Sequence, residues 1–234
     1  MLFSVGHRGA SAYAPENTIA AFEEAIRLGA KGVEFDLRIT ADGVMVALHD
    51  ETVDRTTHGT GKVAELTWHH LRQLDAGSQL HPRFTRGRGV RIPSLQEALL
   101  AIGPYARPVI ELKTELPWAE LVAMLRRFDL EKKAMVISFE GRWLSGVRKA
   151  SREVPLGLLA QRWYENLPDL ARGLDAEALL LHTDILGTSQ VAAATARGLE
   201  TWAWTVNDIG VVAASAAMGV TGIITDQPDL IRTR

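Results

Sequence analysis

At 234 residues, 47% hydrophobic, 23% charged and −2 in formal net charge, the chain is long enough for one large unit such as an α/β barrel of about 250 residues, and its charge points to neither a nucleic-acid nor a membrane surface. It has no cysteine, which excludes disulfides and thiolate metal sites. No apolar run approaches the roughly 20 residues of a membrane helix, and the opening MLFSVGHRG shows no leader pattern, so the cytoplasm is the expected location.

Residues 2–6 predict a strand. Residues 17–28 place apolar side chains at helical spacing and stop at Gly29, a helix-ending residue. Gly32–Ile39 reads as a strand and 45–49 as another, ending in His49. Strands at Arg107–Leu112, 134–139, 155–160, Ala178–His182, 200–206 and Gly222–Thr225 then alternate with helices at 118–128, 142–151, 167–172, 189–197 and 209–218. Strand and helix in alternation imply a parallel α/β sheet. About eight such units in a chain of domain size predict a closed (β/α)8 TIM barrel, a single catalytic domain over 1–234, ahead of an open doubly wound sheet.

Between His49 and Pro93 the alternation breaks. Glycines interrupt the stretch, Arg83, Arg86, Arg88 and Arg91 cluster near its end, and residues 66–74 alone look helical. Irregular stretches of this length in compact proteins are lids or small modules, or else solvated surface loops. The reading is a small inserted segment, about 51–92, following the second β/α unit at the mouth of the barrel.

Glu34 and Asp36 are two apart on a strand and share one face, while Val33, Phe35 and Leu37 share the other. Glu111 repeats the pattern between Ile110 and Leu112. Carboxylates that point into a barrel are costly to bury without a cation. An all-oxygen set suits Mg²⁺ or Ca²⁺, with Mn²⁺ also able to serve, better than Zn²⁺. His7 follows the first strand and His49 ends another, where barrel residues face an active site. With unperturbed pKa values of about 6.5, imidazoles can act as general acid and base near neutrality. Arg8 offers a planar fork for a phosphate, or a salt bridge to the carboxylates; Lys113 offers a second phosphate contact, or charge balance for Glu111. His69 and His70 are adjacent and cannot share a helix face, which makes them surface residues, and His58, His81 and His182 show no partner pattern.

The motifs spell a resemblance. In chain order they are Gly6-His7-Arg8-Gly9, Ala14-Pro15-Glu16-Asn17-Thr18, Glu34-Phe35-Asp36, His49-Asp50, Arg55-Thr56-Thr57, Gly59-Thr60-Gly61, Leu74-Asp75-Ala76-Gly77, Ile92-Pro93-Ser94-Leu95, Glu111-Leu112-Lys113, Trp204-Thr205-Val206-Asn207 and Thr225-Asp226-Gln227-Pro228. This ordered set resembles the glycerophosphodiester phosphodiesterase family from one end of the chain to the other. The resemblance implies a (β/α)8 barrel with an insertion, and a divalent cation on Glu34, Asp36 and Glu111. It implies His7 and His49 as the acid/base pair, phosphate contact by Arg8 and Lys113, and Trp204 beside the glycerol or the leaving group. The implied reaction is hydrolysis of a small-molecule glycerophosphodiester to sn-glycerol 3-phosphate and an alcohol. Two alternatives are a lysophospholipase D-type phosphodiesterase and a barrel that binds phosphodiesters without turning them over. The family's aromatic pair after Asp75-Ala76-Gly77 is replaced here by Ser78-Gln79-Leu80, with Phe84 later, which bears on the leaving group.

Overall fold

A computed structural model of the chain describes residues 2–77 and 89–231. Arg83, Arg86, Arg88, Phe84 and His81 lie outside the described residues. The elements, in chain order, are β1 (Phe3–Gly6), α1 (Ile19–Arg27), β2 (Gly32–Ile39), β3 (Met45–Ala47), α2 (Trp68–Leu71), α3 (Leu95–Ile102), β4 (Arg107–Leu112), α4 (Trp118–Arg127), β5 (Met135–Ser138), α5 (Gly141–Ala150), β6 (Leu156–Ala160), α6 (Leu167–Gly173), β7 (Ala178–His182), α7 (Thr188–Thr195), β8 (Glu200–Trp204), α8 (Ile209–Ala217) and β9 (Gly222–Thr225).

The strands pair in the order β1-β9-β8-β7-β6-β5-β4-β2, and β1 also pairs with β2, which closes the barrel. Each of these pairs is parallel, for example Asp36 opposite Glu111 and Gly6 opposite Thr225. The result is the TIM barrel that the strand–helix alternation implies.

Alternation along the strands sorts the side chains onto two faces. Val33, Phe35, Leu37, Ile110 and Leu112 join the layer between sheet and helices. Val5, Val109, Met135, Ile137, Leu180, Trp202 and Ile224 fill the barrel interior. Trp202 is fully buried low in the barrel, stacked on Phe3 at 5.3 Å between ring centroids. A Cβ on Gly222 would lie 2.5 Å from the Trp202 ring, so that glycine gives the indole its space.

β3 departs from the expected pattern. It is antiparallel to β2, with Leu37 opposite Ala47 and Ile39 opposite Met45, and it lies outside the ring of parallel strands. The segment that follows β3 sits between β2 and α3, inside the second β/α unit rather than after it. The reason is α3, for which the sequence reading gives no helix. Ser94 caps it through a reciprocal capping box with Glu97, and Leu95, Ala98, Leu99 and Ile102 form its buried face. The segment has a small core of its own, in which Val46, Leu48, Val53, Val63, Leu71, Leu74, Ala76 and Ile92 pack together. No helix among the described residues is long and apolar enough to cross a membrane.

Candidate active site

The middle of β2 and the C-terminal end of β4 place Glu34, Asp36 and Glu111 on the interior face, where they are 1%, 1% and 8% exposed. One oxygen from each lies within 4.8 Å of the others. Lys113, one residue past β4, donates to Glu111 Oε1 at 2.5 Å and stands 3.2 Å from Asp36 Oδ1. Arg8 Nε is 3.4 Å from Asp36 Oδ2. Burial pushes the Glu34 carboxyl well above the usual range, with Asp36 and Glu111 adding to the rise. Burial and Asp36 together push Glu111 up to about 7, against the pull of Lys113. Asp36 is held below its ordinary value: burial opposes this, but Lys113, Arg8, His49 and the Asn17 amide prevail.

A tight turn after β1 brings His7 and Arg8 to this cluster. Arg8 has φ 53° and Gly9 φ 85°. The left-handed region costs a residue with a side chain roughly 1–2 kcal/mol. The backbone N–H of Arg8 offsets part of that cost by donating to Glu34 Oε2 at 2.8 Å. Gly9 has no alternative: a Cβ there would sit 2.5 Å from the backbone carbon of Ala21. Asn17, also left-handed at φ 56°, donates to Asp36 Oδ2 at 2.7 Å and accepts from the Asp36 N–H at 3.1 Å.

Each catalytic candidate histidine has its own carboxylate. His7 Nδ1 is 2.7 Å from Asp226 Oδ1, and His49 Nδ1 is 2.7 Å from Asp50 Oδ1. Asp226 also accepts from Ser11 at 2.8 Å and from Asn207. Although burial works against its charge, these partners, His7 foremost, hold its carboxyl down at about 2. Asp50 is held below the usual range chiefly by Arg55, which donates to it from two nitrogens. Burial lowers His49, against the pull of Asp36 and Asp50.

The two histidines reach the cavity by different routes. His7 follows a barrel strand directly. His49 lies two residues beyond β3, which is not a barrel strand, so its position at the mouth has another cause. β2 runs past the rim to Ile39, the chain turns, and β3 comes back antiparallel until the Leu48 N–H donates to the Asp36 carbonyl at 3.0 Å. Arg38 then fixes the next peptide, donating from Nε and Nη2 to the His49 carbonyl at 2.9 and 2.8 Å.

Glu16 ties the two halves together. It accepts from Arg8 at 2.8 Å and from both terminal nitrogens of Arg55 at 2.8 Å. The resulting cavity, about 200 Å³, is lined by His7, Arg8, Glu34, His49, Glu111 and Lys113. Trp204 completes the wall. It donates from Nε1 to the Leu180 carbonyl at 3.1 Å and meets Phe139 and His182 edge-on, at 5.4 and 4.9 Å. All eight side chains singled out from the sequence, counting Asp36 beneath the cavity floor, therefore converge on one place.

Comparisons with known proteins give the family and match the fold. Residues 7–230 match the model of the glycerophosphoryl diester phosphodiesterase family. The chain belongs to that family. It is 35% identical to the glycerophosphodiester phosphodiesterase of Caldanaerobacter subterraneus subsp. tengcongensis, over 97% of this chain and 95% of the relative. Its fold matches the crystal structure of the glycerophosphodiester phosphodiesterase of Agrobacterium tumefaciens with a TM-score of 0.85 at 31% identity, covering 98% of each chain. It also matches an Oleispira antarctica phosphodiesterase, solved in complex with the product sn-glycerol-3-phosphate, with a TM-score of 0.90 at 29% identity over 96% and 93% of the two chains.

As a glycerophosphoryl diester phosphodiesterase family member the chain shows supports that the reading of single residues passes over. Asp50, Asp226, Glu16, Asn17 and Arg55 were visible only as letters within motifs. Their roles are to orient or neutralise other side chains, and no spacing rule on one strand shows that. His182, with no partner pattern in the sequence, stands against Trp204. His58 accepts from the Asp75 N–H at 2.9 Å and has a structural place, while His69 and His70 are exposed, as their adjacency implies.

Proposed function

We propose that the protein hydrolyses glycerophosphodiesters to sn-glycerol 3-phosphate and an alcohol, using His7 and His49 as acid and base and a divalent cation on Glu34, Asp36 and Glu111. The observation that carries this reading is the pair of imidazoles, each bound to its own carboxylate at 2.7 Å, facing a cavity floored by buried carboxylates. The names of the relatives and the product-bound neighbour support the same reaction.

The donor set fits a hard cation. Glu34 Oε1 is buried with no hydrogen-bond partner, and Asp36 Oδ1 has the ion pair with Lys113 alone. Three carboxylates exceed the charge of the two cationic side chains beside them. Mg²⁺, Ca²⁺ and Mn²⁺ all suit oxygen donors. When bound there, the cation supplies Lewis-acid polarisation of a phosphoryl oxygen.

The protein's own groups do the rest. Arg8 and Lys113, already within ion-pair reach of the carboxylates, fix the phosphate by charge-assisted hydrogen bonds. With Nδ1–H given to Asp226 or Asp50, Nε2 of each ring is left for the chemistry: the base is the neutral imidazole, with its lone pair on Nε2, and the acid is the imidazolium, with a proton there. One imidazole takes the proton of the attacking hydroxyl; the other delivers a proton to the departing oxygen. In balance, water adds across the ester: a new P–O bond forms, the bond to the alcohol oxygen breaks, and that oxygen leaves protonated. Trp204 lies beside the glycerol or the leaving group.

The test is to follow release of sn-glycerol 3-phosphate from glycerophosphocholine, glycerophosphoethanolamine and glycerophosphoglycerol by purified protein supplied with Mg²⁺, Ca²⁺ or Mn²⁺. Release from at least one is expected. No release from any of them would overturn the reading.

A further inference from the structure

The catalytic cavity does not end at its aromatic wall. Phe139, Leu159 and Gln161 line it and also line a second, larger groove of about 770 Å³. That groove runs from the ends of β5 and β6 along α6. Its floor is made of leucines from β6 and α6, and Tyr164, Leu170 and Gly173 form its outer part. Phe139, Tyr164 and Leu170 are 40%, 54% and 52% exposed. Large apolar side chains grouped at an open groove mark a binding surface.

The sizes divide the substrate. A polar cavity of about 200 Å³ suits a small phosphorylated triol and little more, so whatever else the diester carries must extend beyond it. The groove that opens from it offers mostly apolar carbon, with Gln161, Arg162 and Asp169 as its polar side chains. Among the described residues its one carboxylate, Asp169, is paired with Arg197 at 2.8 and 3.0 Å, and Arg162 lies in the same lining, so the groove has no excess of negative charge for a cationic head group.

We propose that this groove holds a linear hydrocarbon chain carried by the departing alcohol, so that glycerophosphodiesters of long-chain alcohols are preferred substrates. This rests on the phosphodiesterase reading above. Chain and phosphate bind together: the glycerol phosphate occupies the polar cavity, and the chain passes Phe139 and lies along α6.

Gly173 supplies the test. It ends α6, lines the groove, and a Cβ built on it meets nothing within 4 Å. Gly173→Phe therefore fills the groove without forcing the fold, and Leu170→Arg, at an exposed position, places a charge in it. Kinetics would be measured with glycerophosphoethanol, glycerophosphobutanol and glycerophospho-octanol below their aggregation limits, with glycerophosphocholine as a short cationic control. In the wild type kcat/KM should rise with chain length, by up to about fourfold per fully buried methylene. Both variants should flatten that rise and leave glycerophosphoethanol and glycerophosphocholine within about twofold, since apolar burial is the term removed. Saturation-transfer NMR with 1-octanol should show contact in the wild type and none in Gly173→Phe.

A kcat/KM independent of chain length would overturn the proposal while leaving the phosphodiesterase reading intact. So would an equal loss on glycerophosphocholine, which would make the groove a head-group site. If none of the four diesters is hydrolysed, the phosphodiesterase reading fails, and the octanol contact alone decides whether the groove takes a chain: contact abolished by Gly173→Phe sustains that part, and its absence sinks it.

Discussion

His7 and Asp226 are 219 positions apart in the chain and 2.7 Å apart in space. β1 and β9 are neighbours in the barrel, and the His7 N–H donates to the Thr225 carbonyl at 2.8 Å. The closing of the barrel thus sets the imidazole of the first loop against the carboxylate of the last. Asp226→Asn keeps the shape and removes the charge that orients Nδ1–H. We expect kcat to fall about 10–100-fold, the usual cost of losing an orienting partner, with KM little changed. A loss confined to KM would show that Asp226 reads substrate instead.

His7→Ala and His49→Ala should each fold and each lose about 10²–10⁴-fold in kcat, the contribution typical of acid/base groups. A nitrophenyl leaving group needs no proton, so it should partly rescue whichever variant lacks the acid. Comparing nitrophenyl and choline diesters in both variants assigns the roles. Equal losses on both substrates in both variants would count against an acid/base division.

The cation and the pH of the solution should act on the same carboxylates. Glu34 and Glu111 carry folded-state pKa values above their ordinary value, Glu111 at about 7. The metal-free folded chain therefore holds protons that the unfolded chain has released above about pH 4.5, and its stability falls as pH rises from there through about 7. A divalent cation held by Glu34, Asp36 and Glu111, as proposed above, would take the place of those protons. Mg²⁺ or Mn²⁺ should raise Tm more at about pH 8 than at about pH 5.5, and Glu34→Gln should diminish the difference. A metal-induced shift that does not depend on pH would contradict this.

Gly9→Ala should destabilise the protein by about 3 kcal/mol, through a strained φ and a clash with packed backbone. The Cβ would meet Ala21 at 2.5 Å in a turn whose φ is 85°. Chemical denaturation of the two proteins measures it. Gly29→Ala is the control, because its φ is 91° but nothing lies within 4 Å of the added carbon; it should cost less.

The barrel was legible because its strands and helices have clear periods, and the carboxylates because period two fixes the face of Glu34, Asp36 and Glu111. What escaped was of two kinds. Helix α3 has a capping box at Ser94 and Glu97 and an apolar face from Leu95 to Ile102, but it is only eight residues long and follows a stretch whose glycines and arginines break the strand–helix rhythm. The direction of β3 could not be read, because three residues look the same in a parallel or an antiparallel pair. Hence His49 lines the cavity by way of an antiparallel ribbon and not at the end of a barrel strand. The pairings Asp226 with His7 and Glu16 with Arg55 depend on barrel closure and loop packing, which no local pattern encodes.

The route by which His49 arrives carries a consequence for how the molecule fails. One imidazole hangs on the closed ring; the other hangs on a short ribbon whose far side rests on the small core around Val53, Leu71 and Ile92. That core is small and separate from the main one, and a small cooperative unit of this kind opens at lower free energy than the rest of a fold. Opening of that appended body would withdraw His49 and Asp50 together and leave His7, Asp226 and the carboxylates standing. The protein is thus built so that its chemistry can be lost before its architecture: amide hydrogens of 45–76 should exchange ahead of those in β7 and β8, and heat should silence the enzyme at a temperature where the ring is still intact.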